Sequence, residues 1–494
     1  MQVLQQPRNN SMKLRQSPRE SFILFCKAGL TNAVFWSNLP ENIKITIRRK
    51  NMSGIFKAYD IRGIYPEQLN EEMAEKIGRA FVTFLGAKKV VIGRDMRPHS
   101  VPLFNALAKG ITEQGCDVVD LGLCSTPQTY HANGVLKADG SIMITASHNT
   151  REWNGFKLCR KDDVPISGAT GIADIQKLVE ENNFPASDVK GTITTYDISA
   201  DYKKFLRSFA KMDRKLKVVA DFANAMGSYE IAGIEDLFEI VPMYRELDGT
   251  FPNHEANPLH TETLDAIRKK VVEVGADFGA AFDGDADRCG FVDDKGEIIP
   301  MDLFTALIAQ DILSEPSADG EKTTILYDLR SSRAVRECIE ENGGRALMSR
   351  VGHAFIKQQM RENNAVFAGE LSGHYYFKEN FVAESQGLAV IKLANLICKK
   401  NQKVSEMVAP LRKYFSSGEI NSKVADVAPI LERIKKDYAD GRMFELDGIS
   451  VEYKDWWFNI RCSNTEPLLR LIVEAEKKED MEMHRDALLK IIRG

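Results

Sequence analysis

The sequence lacks closely spaced cysteines. Its 494 residues include eight cysteines, but no Cys-x-x-Cys pair and no dense cluster. Disulfide frameworks of small secreted proteins and structural zinc sites both depend on such spacing. We therefore expect reduced thiols and a cytoplasmic protein.

The chain also lacks a long hydrophobic run. Nowhere does it contain about 18 consecutive uncharged apolar residues, the length that spans a bilayer. With 44% hydrophobic and 28% charged residues, its composition is that of ordinary globular proteins. We expect no membrane partner.

A strong overall charge is missing as well, since the net charge is only −4. Residues 1–53 carry nine Lys and Arg against two Glu, which leaves −11 for the remainder. An acidic body disfavours a nucleic-acid partner. Residues 1–53 fit either an organellar presequence, which would change the localisation, or an extension ahead of a start at Met52.

Three stretches share one local pattern: a β-branched strand, a polar turn, and a segment with helical periodicity. They are "KKVVIGRDMRPHSVPLFNALAKGI" from Lys88, "LKVVADFANAMGSYEIAGI" from Leu216 and "KTTILYDLRSSRAVRECIEE" from Lys322. A further short strand follows each one. Strands that alternate with helices predict parallel or mixed sheets covered by helices. We expect three similar α/β domains.

The pattern changes after residue 408. Alternating strands surround one polar loop, and "KEDMEMHRDALLKIIR" predicts a terminal amphipathic helix. This region indicates a smaller α+β domain. The predicted divisions are an extension at 1–53, α/β domains at 54–195, 196–297 and 298–408, and an α+β domain at 409–494.

The most informative motif is "DGDADR". Asp283, Asp285 and Asp287 occupy alternate positions after a strand of small residues. A hard divalent cation with oxygen ligands compensates such a cluster, and Mg²⁺ completes its shell with water and phosphate. An EF-hand is excluded because it needs Gly where Arg288 stands and Glu where Asp294 stands. A solvated acidic turn is the alternative, but the apolar segment before the loop favours metal binding.

The stretch "TASHN" places Ser147 and His148 at the end of an apolar strand. Alone it is typical of a surface turn. If the acidic loop faces it, Ser147 becomes a candidate covalent phosphate carrier, because a phosphoryl oxygen would complete the metal shell.

Further polar motifs are weaker when taken singly. "RCSNTEP" offers a guanidinium, hydroxyls and backbone N–H groups suited to an anion, although such runs are also common turns and helix caps. "GELSGHYYF" places Glu370 and Ser372 where both could face one ligand, or could line a polar strand edge. "KAYDIRG" and "SRVGHAF" are weaker still.

Together these motifs resemble the α-D-phosphohexomutase family, in its phosphomannomutase/phosphoglucomutase branch. "YDIRG", "TASHN…NGFK", "DGDADR", "GELSGH" and "RCSNTEP" occur in that order over about 400 residues. The resemblance implies four domains around a central cleft, three related α/β domains with mixed sheets and a smaller C-terminal α+β domain. It also implies an enzyme that interconverts hexose 1-phosphates and 6-phosphates through a phosphoserine and a hexose 1,6-bisphosphate, which is also the activator.

The resemblance implies a role for each matching residue. Ser147 would carry the phosphoryl group, and Asp283, Asp285 and Asp287 would bind Mg²⁺ together with a phosphoryl oxygen on Ser147. The phosphoryl-transfer site would include Arg62, His148, Lys157 and Arg288. Substrate binding would involve Tyr59, Arg330, His353, Glu370, Ser372, Arg461, Ser463, Asn464 and Thr465.

Substrate preference follows from the same comparison. Leu371 and Ala286 stand where the related glucosamine-phosphate mutases typically have Gln and Gly, which favours mannose and glucose phosphates. Thr150, Arg330 and "AESQG" depart from the usual family pattern. Alternatives are a phosphoglucosamine mutase, a sugar-phosphate hydrolase, and a catalytically silent sugar-phosphate-binding protein. We expect a monomer or weak homodimer.

Overall fold

The computed structural model describes residues 54–315, 320–462 and 468–494. The predictions for residues 1–53, and for Ser463, Asn464 and Thr465, lie outside these residues. Within the described ranges, no helix is both long and apolar enough to cross a membrane. Seven of the eight cysteines lie in these ranges, and none of the seven forms a disulfide bond.

Helices account for much of the described chain. The α-helices are α1 (Glu71–Leu85), α2 (Ser100–Glu113), α3 (Thr126–Val135), α4 (Ala173–Glu181), α5 (Ser199–Arg207), α6 (Gly227–Glu230), α7 (Asp265–Val274), α8 (Met301–Leu313), α9 (Arg333–Glu341), α10 (His353–Glu362), α11 (Gln386–Lys400), α12 (Val404–Val408), α13 (Ala428–Asp437) and α14 (Lys478–Arg493). Short 3₁₀ turns cover Lys161–Asp163, Glu235–Leu237, Thr261–Leu264, Lys378–Asn380 and Ala409–Leu411, and a π-helical turn covers Gly168–Ile172.

The strands form four sheets. They are β1 (Ile61–Ile64), β2 (Lys89–Arg94), β3 (Asp117–Leu123), β4 (Gly140–Ile144), β5 (Trp153–Arg160), β6 (Ile193–Thr195), β7 (Lys217–Asp221), β8 (Glu239–Met243), β9 (Phe278–Phe282), β10 (Cys289–Val292), β11 (Ile298–Ile299), β12 (Thr324–Asp328), β13 (Arg345–Ser349), β14 (Phe367–Gly369), β15 (Tyr375–Phe377), β16 (Ala383–Glu384), β17 (Phe415–Ser416), β18 (Ile420–Lys423), β19 (Arg442–Phe444), β20 (Ile449–Glu452), β21 (Trp456–Cys462) and β22 (Leu468–Ala475).

Three sheets share one topology. Their strand orders are β1-β5-β4-β2-β3-β6, β11-β10-β9-β7-β8 and β13-β12-β14-β15-β16. Each of these α/β units has four consecutive strands, which are β2–β5, β7–β10 and β12–β15. The first of the four lies between the second and the third and is parallel to both, and the fourth pairs antiparallel with the third. These repeated mixed sheets confirm the predicted fold class. The predicted domain bounds stay predictions.

In each unit, the loop between the third and fourth strands begins at the carboxyl end of the third strand. In the first unit this loop follows β4 and contains Ser147; in the second it follows β9 and contains the three aspartates; in the third it follows β14 and contains Glu370. Every residue of these three strands is buried. Because sheets covered on both faces need apolar strands, polar side chains concentrate where the strands end.

The second unit differs from the prediction in its crossover. The sequence pattern after β7 predicts a full helix, but the structure forms only the four residues of α6. Ala223 and Asn224 adopt left-handed φ values of 48° and 57°, which a helix cannot contain. Most of the connection between β7 and β8 is therefore irregular.

The fourth sheet confirms the predicted α+β domain. Its strand order is β17-β22-β21-β20-β19, with β18 also paired to β22, and every pairing is antiparallel. The predicted terminal helix is α14, which buries Met481, Leu488 and Ile492 against this sheet's core.

One hydrophobic core joins the second and third α/β units. Phe291 on β10 stacks on Phe304 of α8 with ring centroids 3.9 Å apart, and Phe304 contacts Tyr375 on β15 at 4.6 Å. Aromatic burial of this kind contributes strongly to domain association. The shared core thus fixes the positions of the loops that follow β9 and β14 relative to each other.

Candidate active site

Ser147 lies in a tight turn beyond β4, where it is buried and adopts a left-handed φ of 50°. Its backbone N–H donates to Thr145 Oγ1 at 2.8 Å. Its hydroxyl donates to Asp283 Oδ2 at 2.7 Å and lies 3.3 Å from His148 Nδ1. The turn therefore aims Ser147 Oγ at the acidic loop of the next unit.

Arg97, which follows β2, stabilises this turn through its backbone carbonyls. The side chains of Arg97 and Asp95 are fully buried, and they pair with Arg97 Nε 3.1 Å from Asp95 Oδ2. The guanidinium also donates to the backbone carbonyls of Ser147 (2.8 Å), Asn149 (2.6 Å), Thr150 (2.8 Å) and Trp153 (3.0 Å). A planar group with five N–H donors suits this task, since it can satisfy several carbonyls at once.

The acidic loop brings three carboxylates together. Oxygen atoms of Asp283, Asp285 and Asp287 all lie within 4.8 Å of one another, and all three residues are buried. Asp285 Oδ1 and Asp287 Oδ1 have no hydrogen-bond partner among the described residues. Buried carboxylate oxygens without donors fit a divalent cation with oxygen ligands, so these residues can hold a metal ion.

Charge interactions inside the loop are strong. Lys157 on β5 donates to Asp285 Oδ2 at 2.6 Å and also to Asp287 Oδ2. Burial and the neighbouring Asp285 and Asp287 raise the pKa of Asp283 to about 8. Burial opposes the charged form of Lys157, but Asp285 and Asp287 outweigh it and raise its pKa above the usual value. Lys157 therefore stays protonated beside the loop.

Two helix N-termini hold the acidic loop in place. Thr126, the first residue of α3, donates through Oγ1 to Asp285 Oδ2 at 2.5 Å and through its N–H to the Asp285 carbonyl at 2.9 Å. Gln386, the first residue of α11, donates through Nε2 to the Asp287 carbonyl at 2.7 Å. The acidic loop of the second unit thus rests on helices from the first and third units.

Glu230 of α6 links the same two helices. Its buried carboxylate accepts hydrogen bonds from Ser125 Oγ (2.6 Å), Tyr202 OH (2.6 Å) and the Gly387 N–H (2.8 Å). Ser125 is the N-cap of α3, and Gly387 lies in the first turn of α11. One carboxylate therefore contacts all three α/β units directly behind the acidic loop.

Arg62 and Arg288 flank Ser147 and the acidic loop. Arg62 on β1 donates to Asn149 Oδ1 at 2.5 Å and to the Ala146 carbonyl at 3.2 Å, next to Ser147. The Arg288 N–H donates to Asp283 Oδ1 at 3.2 Å. The Arg62 guanidinium thus lies beside the Ser147 turn, and Arg288 Nε lies 4.0 Å from Asp283 Oδ2 in the acidic loop.

The third loop centres on Glu370. Its carboxylate accepts from the Gly352 N–H (3.2 Å), Ser372 Oγ (2.6 Å) and His374 Nδ1 (3.0 Å). Burial alone would raise the pKa of Glu370, but His374 and Arg330 outweigh it and lower the pKa to about 2. Glu370 is therefore ionised at neutral pH.

His374 connects this loop to the acidic loop. Its Nε2 lies 3.5 Å from Asp287 Oδ1 and 3.2 Å from Arg288 Nε. Burial lowers the pKa of His374, but Asp287 and Glu370 outweigh burial and raise it to about 9. Arg288 Nε donates to His374 Nε2, so His374 links the Glu370 carboxylate to Arg288 at the end of the acidic loop.

His353 and Tyr59 lie at the side of the third loop. His353 begins α10, and its ring packs edge-on against Tyr59 with centroids 5.7 Å apart. The Tyr59 hydroxyl donates to the Val351 carbonyl at 3.3 Å. Burial and the nearby Lys357 lower the pKa of His353 to about 3, so the imidazole is neutral.

Arg330 and Arg461 approach each other from the third and fourth domains. Arg330 donates to Asp328 Oδ2 at 2.7 Å, and Arg461 Nη2 donates to Glu419 Oε2 at 2.6 Å. The Glu419 carboxylate also lies 3.7 Å from Arg330. Ser463, Asn464 and Thr465 belong to the stretch that the structure does not describe.

Several residues at this site were not predicted from the sequence. They are Arg97, Thr126, Glu230, His374, Gln386 and Glu419. His374 carried a signal, because a titratable side chain followed Glu370 and Ser372 within one motif. The others act across domains or on backbone carbonyls, and nothing in their local sequence sets them apart.

Comparison with known proteins agrees with this arrangement. Phosphoglucomutase/phosphomannomutase alpha/beta/alpha domains I, II and III match residues 53–186, 200–296 and 300–414, and the C-terminal domain matches residues 393–491. The four matched regions cover nearly all of the described chain. The chain belongs to the phosphoglucomutase/phosphomannomutase family.

Individual relatives are similar to this chain over most of their length. A phosphomannomutase of Escherichia coli is 40% identical over 435 residues, covering 85% of this chain and 94% of that protein. A phosphomannomutase of Methanocaldococcus jannaschii is 41% identical over 435 residues, covering 87% and 95%. A crystal structure of a Burkholderia thailandensis phosphoglucomutase/phosphomannomutase family protein superposes with a TM-score of 0.81 at 32% identity, covering 89% of this chain and 97% of that one.

Proposed function

We propose that the protein is a phosphomannomutase/phosphoglucomutase that interconverts hexose 1-phosphates and 6-phosphates. The observation that carries this proposal is the hydrogen bond of 2.7 Å from Ser147 Oγ to Asp283 Oδ2. It places a nucleophilic oxygen of one domain against the acidic loop of another. A serine so placed can both donate and recover a phosphoryl group.

The first half-reaction transfers the phosphoryl group to the sugar. The bond from phosphorus to Ser147 Oγ breaks, and a bond forms from phosphorus to the free hydroxyl oxygen of a hexose phosphate. The hydroxyl loses its proton as this bond forms, and Ser147 Oγ takes up a proton as it leaves. Arg62, Arg288 and protonated Lys157 surround the transferred group, where they stabilise its charge. The product of this step is a hexose 1,6-bisphosphate.

The second half-reaction returns a phosphoryl group to the serine. After the bisphosphate turns over, Ser147 Oγ attacks the other phosphorus and the phosphate–sugar bond there breaks. Two acceptors face the serine hydroxyl proton, Asp283 at 2.7 Å and His148 at 3.3 Å. Burial and the nearby Arg288 lower the pKa of His148, so its ring is neutral and free to accept.

We propose that Asp283, Asp285 and Asp287 hold Mg²⁺ together with a phosphoryl oxygen on Ser147. When bound, the cation supplies charge stabilisation to the transferring phosphoryl group. The two orphaned carboxylate oxygens support this assignment. Arg97, Thr126 and Gln386 position the two loops that must meet there.

The substrate assignments rest on the third and fourth domains. We propose that Glu370 and Ser372 bind two sugar hydroxyls, with Tyr59 and His353 beside them. Arg330, Arg461, Ser463, Asn464 and Thr465 would bind the distal phosphate. If the bound hydroxyls are those at C3 and C4, the C2 centre that distinguishes glucose from mannose is not read, and both sugars are substrates.

The proposed cellular setting is a reducing one. The seven unpaired cysteines of the described chain support a cytoplasmic protein, and we propose that it acts as a monomer or weak homodimer.

The decisive experiment measures turnover of mannose 1-phosphate, glucose 1-phosphate and glucosamine 1-phosphate with Mg²⁺ and a trace of hexose 1,6-bisphosphate, while free phosphate is followed. We expect conversion of the first two without phosphate release. Stoichiometric release would instead identify a hydrolase. Ser147→Ala should lose turnover while the matched surface variant Ser314→Ala retains it; undiminished turnover in Ser147→Ala would refute the phosphoserine mechanism.

A further inference from the structure

Glu419 lies where the third and fourth domains meet, between Gly418 and β18. Its Oε2 accepts from Arg461 at 2.6 Å and lies 3.7 Å from Arg330 Nη1, while its Oε1 accepts from Arg470 at 3.1 Å. One carboxylate is therefore shared by three guanidinium groups from two domains. Two of these arginines are those to which we assign the distal phosphate of the substrate.

We propose that Glu419 is an internal competitor of that phosphate: its carboxylate occupies Arg461 and Arg330 when no phosphate is bound, and yields them when one binds. This inference rests on the proposed function, since it assigns the distal phosphate to these two arginines. Glu419 itself does not touch the sugar or the reacting atoms.

The contacts around Glu419 allow such an exchange. Arg330 stays fixed after Glu419 withdraws, because Asp328 holds its guanidinium at 2.7 Å. Arg470 bonds the opposite carboxylate oxygen, so Glu419 can swing away from Arg461 and still keep one ion pair. The side chain of Glu419 is 20% exposed and that of Arg461 only 3%, which places the carboxylate on the open side of the buried arginine.

The chemistry favours a phosphate over the carboxylate. A phosphate group carries up to two charges and three oxygens, and guanidinium groups bind it through paired hydrogen bonds. Releasing Glu419 into a more exposed position costs part of that gain. The grip on the distal phosphate is therefore weaker than the arginines alone would provide.

Weaker binding of the distal phosphate favours the proposed reaction. The bisphosphate must leave the distal site halfway through the cycle, turn, and bind again with its other phosphate. During that turn Glu419 restores its ion pairs with Arg461 and Arg330, so the place of the departing phosphate beside the buried Arg461 is taken by another anion.

The test compares wild type with Glu419→Gln. Binding of inorganic phosphate, measured by isothermal titration calorimetry, needs no turnover and therefore does not depend on the proposed reaction. We expect Glu419→Gln to bind inorganic phosphate more tightly by about threefold or more. A residue that only orients Arg461 would give the opposite sign, so unchanged or weaker binding would overturn the proposal.

Two further variants complete the experiment. Glu452 of the fourth domain offers a matched control, because it is likewise shared by arginines of two domains, Arg336 of the third (3.3 Å) and Arg442 of the fourth (3.2 Å). Glu452→Gln should leave phosphate affinity unchanged; equal tightening in both variants would contradict the inference. If Glu419→Gln does not fold, Glu419→Asp keeps the charge but shortens the reach, and its affinity should also rise.

Turnover separates this inference from the proposed function. In an active mutase, Glu419→Gln should lower both KM and kcat, because the tighter complex slows the turn of the bisphosphate. Tighter phosphate binding without any wild-type isomerisation would refute the mutase and leave the role of Glu419 intact. Isomerisation without tighter binding would refute only the inference.

Discussion

Thr126 and Asp285, from different domains, are joined twice: the Thr126 hydroxyl donates to Asp285 Oδ2 at 2.5 Å, and its N–H donates to the Asp285 carbonyl at 2.9 Å. Groups that orient the ligands of a metal ion usually affect its affinity although they do not touch it. The first helical turn of α3 is therefore part of the proposed metal site.

Replacing Thr126 with Val should weaken Mg²⁺ binding. Valine keeps the volume but removes the donor, so Asp285 loses its fixed orientation, and we expect the Mg²⁺ concentration for half-maximal activity to rise about tenfold. Thr129→Val is the control, since Thr129 lies buried in the same helix and donates to the Ser125 carbonyl instead. An equal rise in both variants would assign the effect to the helix rather than to Asp285.

Arg97→Lys should impair both stability and catalysis although it keeps the charge. A lysine ammonium cannot reach four carbonyls in the geometry of a guanidinium, so buried carbonyls lose their donors. We expect the free energy of unfolding, measured in urea, to fall by about 2 to 4 kcal/mol and kcat to fall with it.

Arg94→Lys provides the comparison for Arg97. Arg94 pairs with Asp120 at 2.6 Å outside the Ser147 turn, and both side chains are partly exposed. Its substitution should change stability by less than about 1 kcal/mol. If Arg97→Lys is as mild, the Ser147 turn does not depend on the Arg97 guanidinium.

Gly352→Ala should disturb the substrate-binding side of the site. Gly352 has a φ of 123°, and an added Cβ would lie 2.9 Å from the Tyr59 ring. Alanine would strain the backbone at this φ, and its methyl group would push Tyr59 away. We therefore expect a loss of about 1 to 3 kcal/mol in stability and a raised KM. Gly343→Ala separates the two causes, because Gly343 has a φ of 81° but nothing within 4 Å of an added Cβ. It should lose stability with an unchanged KM.

Asp163 should make stability depend on pH. Burial raises its pKa to about 8, although Lys357 and the hydrogen bond from Asn133 partly oppose the rise. In the unfolded chain Asp ionises near its ordinary pKa of about 3.9. Between these values the folded state binds more protons than the unfolded state, so stability falls as pH rises from about 4 to 8.

The variant Asp163→Asn tests this directly. It should flatten that part of the stability curve and match or exceed the wild type at pH 8, as measured by urea unfolding at pH 5 and pH 8. The exposed neighbour Asp162 provides the control, and Asp162→Asn should keep the wild-type slope. A wild-type slope in Asp163→Asn would show that other groups cause the dependence.

Local features of the sequence predicted much of the fold and the polar loops that follow its buried strands. Ser147, Asp283 and Glu370 follow buried strands, and such a change from apolar to polar residues is visible in one sequence. The terminal helix was found for the same reason, since α14 keeps an amphipathic period over its whole length.

The remaining features depend on local backbone conformation or on contacts between residues far apart in the sequence. The short α6 depends on left-handed residues that periodicity does not reveal, and Arg97 is identified only by the carbonyls it reaches. Glu230 and Glu419 are ordinary glutamates until three domains, or two, place donors around them. Such contacts arise from tertiary packing, which local patterns do not encode.

Each of the three loops after β4, β9 and β14 belongs to a separate copy of one folding unit, so no domain holds the complete site. During synthesis, a chain ending near residue 300 would already contain Ser147 and the acidic loop, but not Glu370 or Arg461, to which we assign the sugar and the distal phosphate. Mutase chemistry must therefore begin only once the last domain has folded against the others.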